Sequence, residues 1–169
     1  MSQAFVKEPD GDDVADDQPE LPISPHPNYV TPQGLAQLKE ALAGLLERRR
    51  ELDDGSLGNK LPLAQAAREI RYFEARLSQA ILPAMQAAGV VAFGAAVTIE
   101  DEDGGCVTYR IVGEDEADPG HGKVSWISPL ARALINARVG DLVIWERPLG
   151  EAELEIISIS YPSDLDAIS

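Results

Sequence analysis

The sequence predicts an α+β protein in which an antiparallel coiled-coil helical hairpin precedes a small α+β domain. Two patterns in the 169 residues carry this prediction. Apolar residues recur at alternating spacings of three and four between residues 31 and 80, as in helices that share a buried seam. After residue 90 they recur at every second position, as in strands with one covered face. We therefore expect a hairpin at 29–82, a linker at 83–90 and the α+β domain at 91–162.

The first 28 residues are expected to form a disordered acidic arm that ends in a stiff proline-rich linker. They contain seven acidic residues against one lysine, and few apolar side chains. Burial of so few apolar groups cannot offset the entropy lost on ordering the chain. Residues 163–169 are likewise expected to be a loose tail.

The first hairpin helix is expected to start at Thr31 and Pro32, with Thr31 as the N-cap and Pro32 at the first helical position. Gly55 provides a stop for this helix. Its seam, which one arginine interrupts, consists of Leu35, Leu38, Leu42, Leu45, Arg49 and Leu52.

The second hairpin helix is expected to begin near Asn59 or Leu61, with Pro62 in its first turn, and to end or bend at Pro83. Its seam consists of Leu63, Ala66, Ile70, Phe73, Leu77 and Ala80. Helices of about twenty residues would give a rod of roughly 30 Å. Such a rod could reach into another molecule, or it could pack along its own domain or along a dimer partner.

The α+β domain is expected to contain alternating strands and one short helix. The segment "DEDGG", residues 101–105, predicts a hairpin turn, and "DLVIWERP" predicts another strand. Ser128 and Pro129 predict the cap and first residue of a helix of two or three turns lying on the sheet. The residues expected on the covered face of the strands are Val97, Ile99, Val107, Tyr109, Ile111, Ile157, Ile159 and Tyr161.

The charge of −15 is unevenly distributed along the chain. Residues 31–89 carry eight bases and seven acids, whereas residues 90–169 carry five bases and fifteen acids. Phosphate binding needs clustered Lys and Arg, so we expect nucleic acid to contact only the middle segment. Any such contact is expected only within a larger complex.

Other compositional features exclude several classes of protein. The single cysteine, Cys106, cannot form an internal disulfide and is expected to be a small half-buried residue. With only His26 and His121, a histidine-based metal cluster is not expected. No window reaches the ~18 apolar residues of a membrane helix, and the first residues lack a secretion signal, so we expect a cytoplasmic protein without membrane contact.

Several segments resemble the bacterial Gre transcription elongation factors. The segments "FGAAVTIED", "YRIVGEDEAD", "ISPLARALI" and "VGDLV" are similar, in that order, to the last domain of these factors. The segment "YVTPQGLAQLKEAL" is similar to the start of their coiled coil. The resemblance covers residues 29–162 and implies an FKBP-like fold for the α+β domain. It also implies RNA polymerase as the partner, with this domain at the mouth of the secondary channel and the coiled coil extending toward the active centre.

The resemblance further implies a role for the tip of the hairpin, and here the sequence departs from the family. Family members carry a motif of the form G-D-L-x-E-N, whose two acids help to hold a second magnesium ion of the polymerase. Carboxylates are suitable magnesium ligands. In this chain Ser56 replaces the Asp and Gly58 stands in place of the Glu, while Asn59 is retained. We expect no strong stimulation of transcript cleavage, since each arm is also shorter by about one heptad, or roughly 10 Å.

Two acids just before the tip are the remaining candidates for a metal contact. Asp53 and Asp54 could replace the missing carboxylates, in which case the chain would be a genuine cleavage factor, or they could be solvated surface. Acids at the end of a helix are more often solvated surface. We expect the factor to have no metal site and no cofactor of its own, and magnesium to belong to the polymerase active centre.

Behind the tip, five arginines form what we call the basic collar: Arg48, Arg49, Arg50, Arg68 and Arg71. Their guanidinium groups could contact RNA or elements of the polymerase channel, or they could pair with Glu47, Glu51 and Glu69.

In the last domain, the resemblance assigns polymerase binding to a loop, a helix start and a nearby acidic segment. The corresponding residues are Asp115, Glu116, Ser128, Pro129 and Arg132. Ser128 could instead be only a helix cap, and the acids only a solvated loop.

We expect a monomeric regulator of RNA polymerase that has no catalytic residues and is not an enzyme. One alternative is a regulator of the nucleoside diphosphate kinase type acting through polymerase. Another is a prolyl isomerase, which the FKBP-like fold invites, although the aromatics of the domain are spread over separate strands and fold does not determine function. A dimerising coiled-coil module is a third, and Arg49 in the seam argues against it.

Overall fold

The computed structural model describes residues 18–84 and 88–162, and these divide into two compact units. The first unit comprises the described residues up to His26 together with Leu38–Gln79. The second comprises Pro27–Gln37 and the described residues from Ala80 onward. Residues 27–37, which the sequence assigned to the arm and the hairpin, thus group with the sheet. Most of the acidic arm, residues 1–17, and the tail at 163–169 lie outside the described residues.

Two long helices form the predicted helical hairpin. Helix α1 spans Pro32–Leu52 and helix α2 spans Lys60–Ser78, with a 3-10 turn at Leu57–Asn59 between them. The Thr31 hydroxyl accepts a hydrogen bond from the Gly34 amide at 2.9 Å, as expected of an N-cap.

The second helix differs from its prediction at its end and in its buried face. It ends at Ser78 rather than at Pro83, because the chain turns at once into a short strand. Ala66 and Ile70 are buried as predicted, but Arg76 is buried as well, with 1% of its surface exposed. No apolar periodicity identifies such a position.

A two-residue parallel ladder accounts for the early end of α2. Strand β1 (Asn28–Tyr29) pairs with strand β2 (Ala80–Ile81), and the Val30 amide donates to the Ile81 carbonyl at 2.9 Å. Sequence patterns did not predict this ladder, because two-residue strands are too short to show alternation.

The second unit also contains a five-stranded sheet in the order β5-β4-β3-β7-β6. The strands are β3 (Ala96–Glu100), β4 (Cys106–Val112), β5 (Lys123–Ser125), β6 (Leu142–Arg147) and β7 (Gly150–Ser160). All pairs are antiparallel except β4 with β5. Helix α3 (Pro129–Leu134) contacts β5 and β6. The core beneath it includes Val97, Ile99, Ile111, Leu130, Leu134, Leu154 and Ile156. This is the α+β class that the sequence predicts.

Strand β7 departs from the predicted alternation. Thr98 pairs with Ser158, whereas the next residue, Ile99, pairs with Ile156, so one residue of β7 is left over. Such a bulge moves the residues on either side of it to opposite faces. Leu154 and Ile156 therefore face the core, and Ile157, predicted on the covered face, is 38% exposed.

Beyond the bulge, the later residues return to the core side. Ile159 and Tyr161 pack against the core as predicted. The Tyr161 hydroxyl donates to the Val90 carbonyl, and burial raises the pKa of the Tyr161 phenol. The end of β7 is thus attached to the segment that precedes the sheet.

The β3–β4 hairpin has the predicted turn. The Asp101 carboxylate accepts from the Asp103 and Gly105 amides at 3.0 and 2.8 Å, and Gly104 has a φ of 81°. At this end of the hairpin two predictions are wrong. Val107, predicted on the covered face, and Cys106, predicted to be half-buried, are both exposed.

Helix α3 is shorter than predicted, with six residues from Pro129 to Leu134. Ile135 already leaves the helical conformation, and Asn136 has a φ of 73°. Asparagine tolerates this left-handed conformation better than most residues do.

Candidate functional site

The tip of the helical hairpin is organised by its own polar side chains. Asp54 Oδ1 accepts from the Ser56 amide at 2.8 Å and from Asn59 Nδ2 at 3.0 Å. Asn59 Nδ2 also donates to the Leu52 carbonyl at 3.1 Å, at the end of α1. Gly55 has a φ of 77°, where a side chain would be strained. Asp54 and Asn59 therefore close the loop between the two helices.

The two acids of the tip differ in what they can offer a metal ion. One oxygen of Asp54 is engaged within the loop, whereas the Asp53 carboxylate has no hydrogen-bond partner among the described residues. Ser56 and Gly58, which the resemblance places at the positions of two acids, carry no charge. A single free carboxylate is a poor ligand set for magnesium. Within residues 18–84 and 88–162, no group of three His, Cys, Asp or Glu residues could hold a metal ion.

The basic collar is only partly paired. Arg50 Nη1 lies 2.9 Å from Glu47 Oε2, which is one of the predicted pairs. Arg71 pairs with a carboxylate from the arm, Glu20, and not with the predicted Glu69. Arg48 and Arg49 are exposed on α1, so Arg49 is turned away from the seam in which the heptad pattern placed it. The described part of the arm is the partner that sequence periodicity could not identify.

The predicted polymerase-binding residues lie on two elements that flank one short strand. Both the 3-10 turn at Glu114–Glu116 and helix α3 contact β5. Asp115 on the turn, and Pro129 and Arg132 on the helix, are exposed. These three residues therefore form part of the surface on either side of β5.

Ser128 has the structural role that the sequence left open. Its hydroxyl accepts from the Ala131 amide at 3.2 Å and so caps α3. The residue is half-buried, which leaves part of its surface for a partner contact as well.

The prediction that Glu116 binds polymerase is wrong. This residue is 7% exposed and cannot present its carboxylate to a partner. Its Oε2 accepts from the Thr31 hydroxyl at 2.6 Å, and its Oε1 lies 3.9 Å from Lys123 Nζ. A Cβ on Gly34 would lie 2.6 Å from the same Oε2. Glu116 thus holds the first turn of α1 within the second unit.

An aromatic cluster was missed by the sequence analysis. Tyr29 lies 5.0 Å from Trp126 and 5.9 Å from Phe93, measured between ring centroids. The Tyr29–Trp126 contact is edge-to-face, a geometry that adds to the stabilisation from burial. The signal in the sequence was Tyr29, two residues before the Thr31 cap, because this tyrosine had no role in either predicted helix.

A separate cavity of about 180 Å³ opens on the sheet near the β3–β4 turn. Tyr109 and Trp145 both line it, so two aromatics expected to be far apart are brought together. The Arg147 guanidinium lies 5.3 Å from the centre of the Trp145 ring. Acidic residues line much of the rest of the cavity. This volume is below the ~300–1,000 Å³ of typical small-molecule clefts, which does not favour a peptide-binding isomerase site.

Across the described part of the chain, no helix is both long enough and apolar enough to cross a bilayer.

Comparison with known proteins gives concordant results. A model of the GreA/GreB transcription elongation factor C-terminal domain matches residues 86–161. The chain is 38% identical to transcription elongation factor GreB of Neisseria meningitidis serogroup B over 153 residues, which cover 79% of this chain and 94% of that protein. It is 40% identical to transcription elongation factor GreA of Alkalilimnicola ehrlichii over 152 residues, covering 78% and 96% of the two chains.

Among solved structures, GreA factor homolog 1 of Thermus thermophilus matches at 25% identity and a TM-score of 0.39, covering 80% of this chain and 99% of that one. The family assignment depends on the sequence relatives, because they match along almost their whole lengths. The chain therefore belongs to the GreA/GreB family of transcription elongation factors, whose members act on RNA polymerase.

Proposed function

We propose that this chain binds RNA polymerase at the secondary channel and acts there without strongly stimulating transcript cleavage. The second unit binds at the channel mouth through the exposed residues beside β5, namely Asp115, Pro129 and Arg132. The helical hairpin extends into the channel. The chain carries out no chemistry itself, so it is not an enzyme, and magnesium remains a component of the polymerase.

The main support for this proposal is the set of residues at the tip of the hairpin. The positions of the family's two acids are held by Ser56 and Gly58, and one oxygen of Asp54 is engaged in closing the loop. To bind a metal ion through both of its oxygens, Asp54 would have to release the Ser56 amide and Asn59 Nδ2. A hydrogen bond to a charged group contributes about 1.5–3 kcal/mol, so this change would cost some of the loop's stability.

One observation favours a second candidate function. The Asp53 carboxylate is exposed at the tip and free of partners among the described residues. It could supply a single ligand to a metal ion held by the polymerase, and the chain would then be a weak cleavage factor.

A cleavage assay on backtracked polymerase complexes with Mg²⁺ tests both functions. The complexes receive this chain alone, a cleavage-stimulating Gre factor alone, or the two together. We expect no acceleration by this chain and slower cleavage in the mixture, because both proteins would occupy one site.

Variants of the tip decide between the two candidates. Robust cleavage by the chain alone, lost in Asp53→Ala and retained in the exposed-helix control Glu40→Ala, would establish the second function. An absence of competition, together with no association with polymerase, would overturn the proposal as a whole.

A further inference from the structure

The described end of the acidic arm lies against the basic collar. Arg71 Nη2 donates to Glu20 Oε1 at 2.6 Å, and Arg71 Nε lies 3.0 Å from Oε2. One turn away on α2, Arg68 Nη1 donates to the Pro19 carbonyl at 3.3 Å. All four residues belong to the first unit. The arm thus occupies two of the five collar arginines.

The geometry of this contact is the geometry with which arginine binds phosphate. A guanidinium presents a planar set of donors that match two oxygens of a carboxylate or of a phosphate equally well. The hydrogen bond from Arg71 holds the pKa of Glu20 below its ordinary value of 4.5. Glu20 is therefore ionised at neutral pH, and it loses the contact only when the pH falls through that lowered pKa.

The contact is also easily exchanged. The side chains of Arg71 and Glu20 are 53% and 63% exposed, so solvent and salt screen their attraction. A ligand with several phosphates can displace such a pair. Because Glu20 belongs to the same chain, however, it competes at the high effective concentration of a tethered group.

The sequence of the arm continues the same charge. Residues 8–17 contain six carboxylates, in Glu8, Asp10, Asp12, Asp13, Asp16 and Asp17. This segment contains no Lys or Arg. Its negative charges are therefore closely spaced, as they are in a nucleic acid strand.

We propose that the arm segment at Pro19 and Glu20 is a tethered competitor which masks the Arg68 and Arg71 face of α2 from single-stranded RNA. Release of Glu20 exposes this face, and the arm then sets how strongly the hairpin engages a transcript. This inference depends on the proposed function only for the place where the hairpin would encounter RNA, because binding to free RNA requires no polymerase.

The test measures binding of a short fluorescein-labelled single-stranded RNA to the intact protein by anisotropy. The variants are Glu20→Gln, Arg71→Gln and the double variant. The control is Glu40→Gln, which makes the same charge change at an exposed position of α1. We expect Glu20→Gln to tighten binding about 2- to 5-fold at low salt, and this gain to shrink at high salt.

The double variant separates masking from a general charge effect. If Glu20 acts by covering Arg71, its replacement should have no more effect than Glu40→Gln once Arg71 is gone. Equal gains from Glu20→Gln and Glu40→Gln, equal effects of Glu20→Gln in both backgrounds, or no RNA binding by Glu20→Gln would each overturn the inference. None of these outcomes bears on the polymerase competition assay, in which the unaltered chain is used.

Discussion

At the scale of single residues, Thr31 connects the start of α1 to the sheet. Its hydroxyl accepts from the Gly34 amide and donates to the buried Glu116 carboxylate, so one oxygen serves as both cap and anchor. A Cβ on Gly34 would meet Glu116 Oε2 at 2.6 Å, so a larger residue at this position would have to displace that carboxylate. The first turn of the helix is therefore held by tertiary contacts as well as by its cap.

This arrangement predicts that Thr31→Ala destabilises the second unit more than an ordinary cap mutation does. Loss of a cap costs about 1 kcal/mol, and a buried acceptor left unsatisfied costs about 1–3 kcal/mol more. Ser128→Ala is the matched control, because Ser128 caps α3 without an anchored carboxylate. Urea unfolding followed by tryptophan fluorescence measures the difference, since Trp126 and Trp145 both lie in this unit. Equal losses from the two variants would contradict the anchoring role of Glu116.

At the scale of elements, the bulge in β7 decides which residues form the core. Ile156 is fully buried and Ile157 is 38% exposed, although regular alternation through Ile159 and Tyr161 placed Ile157 on the covered face. The bulge lets one long strand present Leu154 and Ile156, and later Ile159, to the same side.

Alanine substitutions at the two neighbouring positions test this register. We expect Ile156→Ala to cost about 2–5 kcal/mol, because it opens a cavity in the core. We expect Ile157→Ala to cost less than about 1 kcal/mol, as exposed substitutions usually do. Chemical denaturation of the two variants measures both values. The reverse order would mean that β7 pairs without the bulge.

The sequence predicted those elements whose signal is local. Helix α1, the turn at 101–105 and the caps Thr31 and Ser128 follow from periodicity and turn chemistry, and the structure confirms them. The features it missed depend on contacts between distant segments. These include the β1–β2 ladder, the burial of Glu116 against Thr31, and the pairing of Arg71 with Glu20. At the tip, the family motif predicts that two acids are absent, whereas the hydrogen bonds of Asp54 within the loop depend on the folded geometry.

At the scale of the whole molecule, charge is unevenly distributed between the middle and the last part of the chain. The segment at 31–89 is almost neutral and carries the basic collar, while residues 90–169 carry fifteen acids against five bases. A strongly acidic segment repels free nucleic acid, which is consistent with a protein partner such as RNA polymerase.

The corresponding prediction concerns the surface beside β5. Asp115→Lys and Arg132→Glu should each weaken competition with a cleavage-stimulating Gre factor by about tenfold, since reversing one charge at an interface costs on the order of 1–2 kcal/mol. Glu102→Lys, at the exposed β3–β4 turn, is the charge-matched control and should compete normally. The measurement is the concentration of each variant that halves cleavage in backtracked complexes. Normal competition by both surface variants would place the polymerase contact elsewhere on the chain.

The short parallel ladder also determines how this architecture can vary. Because Asn28 pairs with Ala80 and Tyr29 with Ile81, the segment before α1 and the segment after α2 lie side by side in the second unit. The helical segment at Leu38–Gln79 is therefore an insertion between two flanks that remain hydrogen-bonded to each other. Matched heptads can be deleted from or added to both helices without altering the register of those flanks. The length of the hairpin can thus evolve, or be engineered, independently of the way its two flanks are joined.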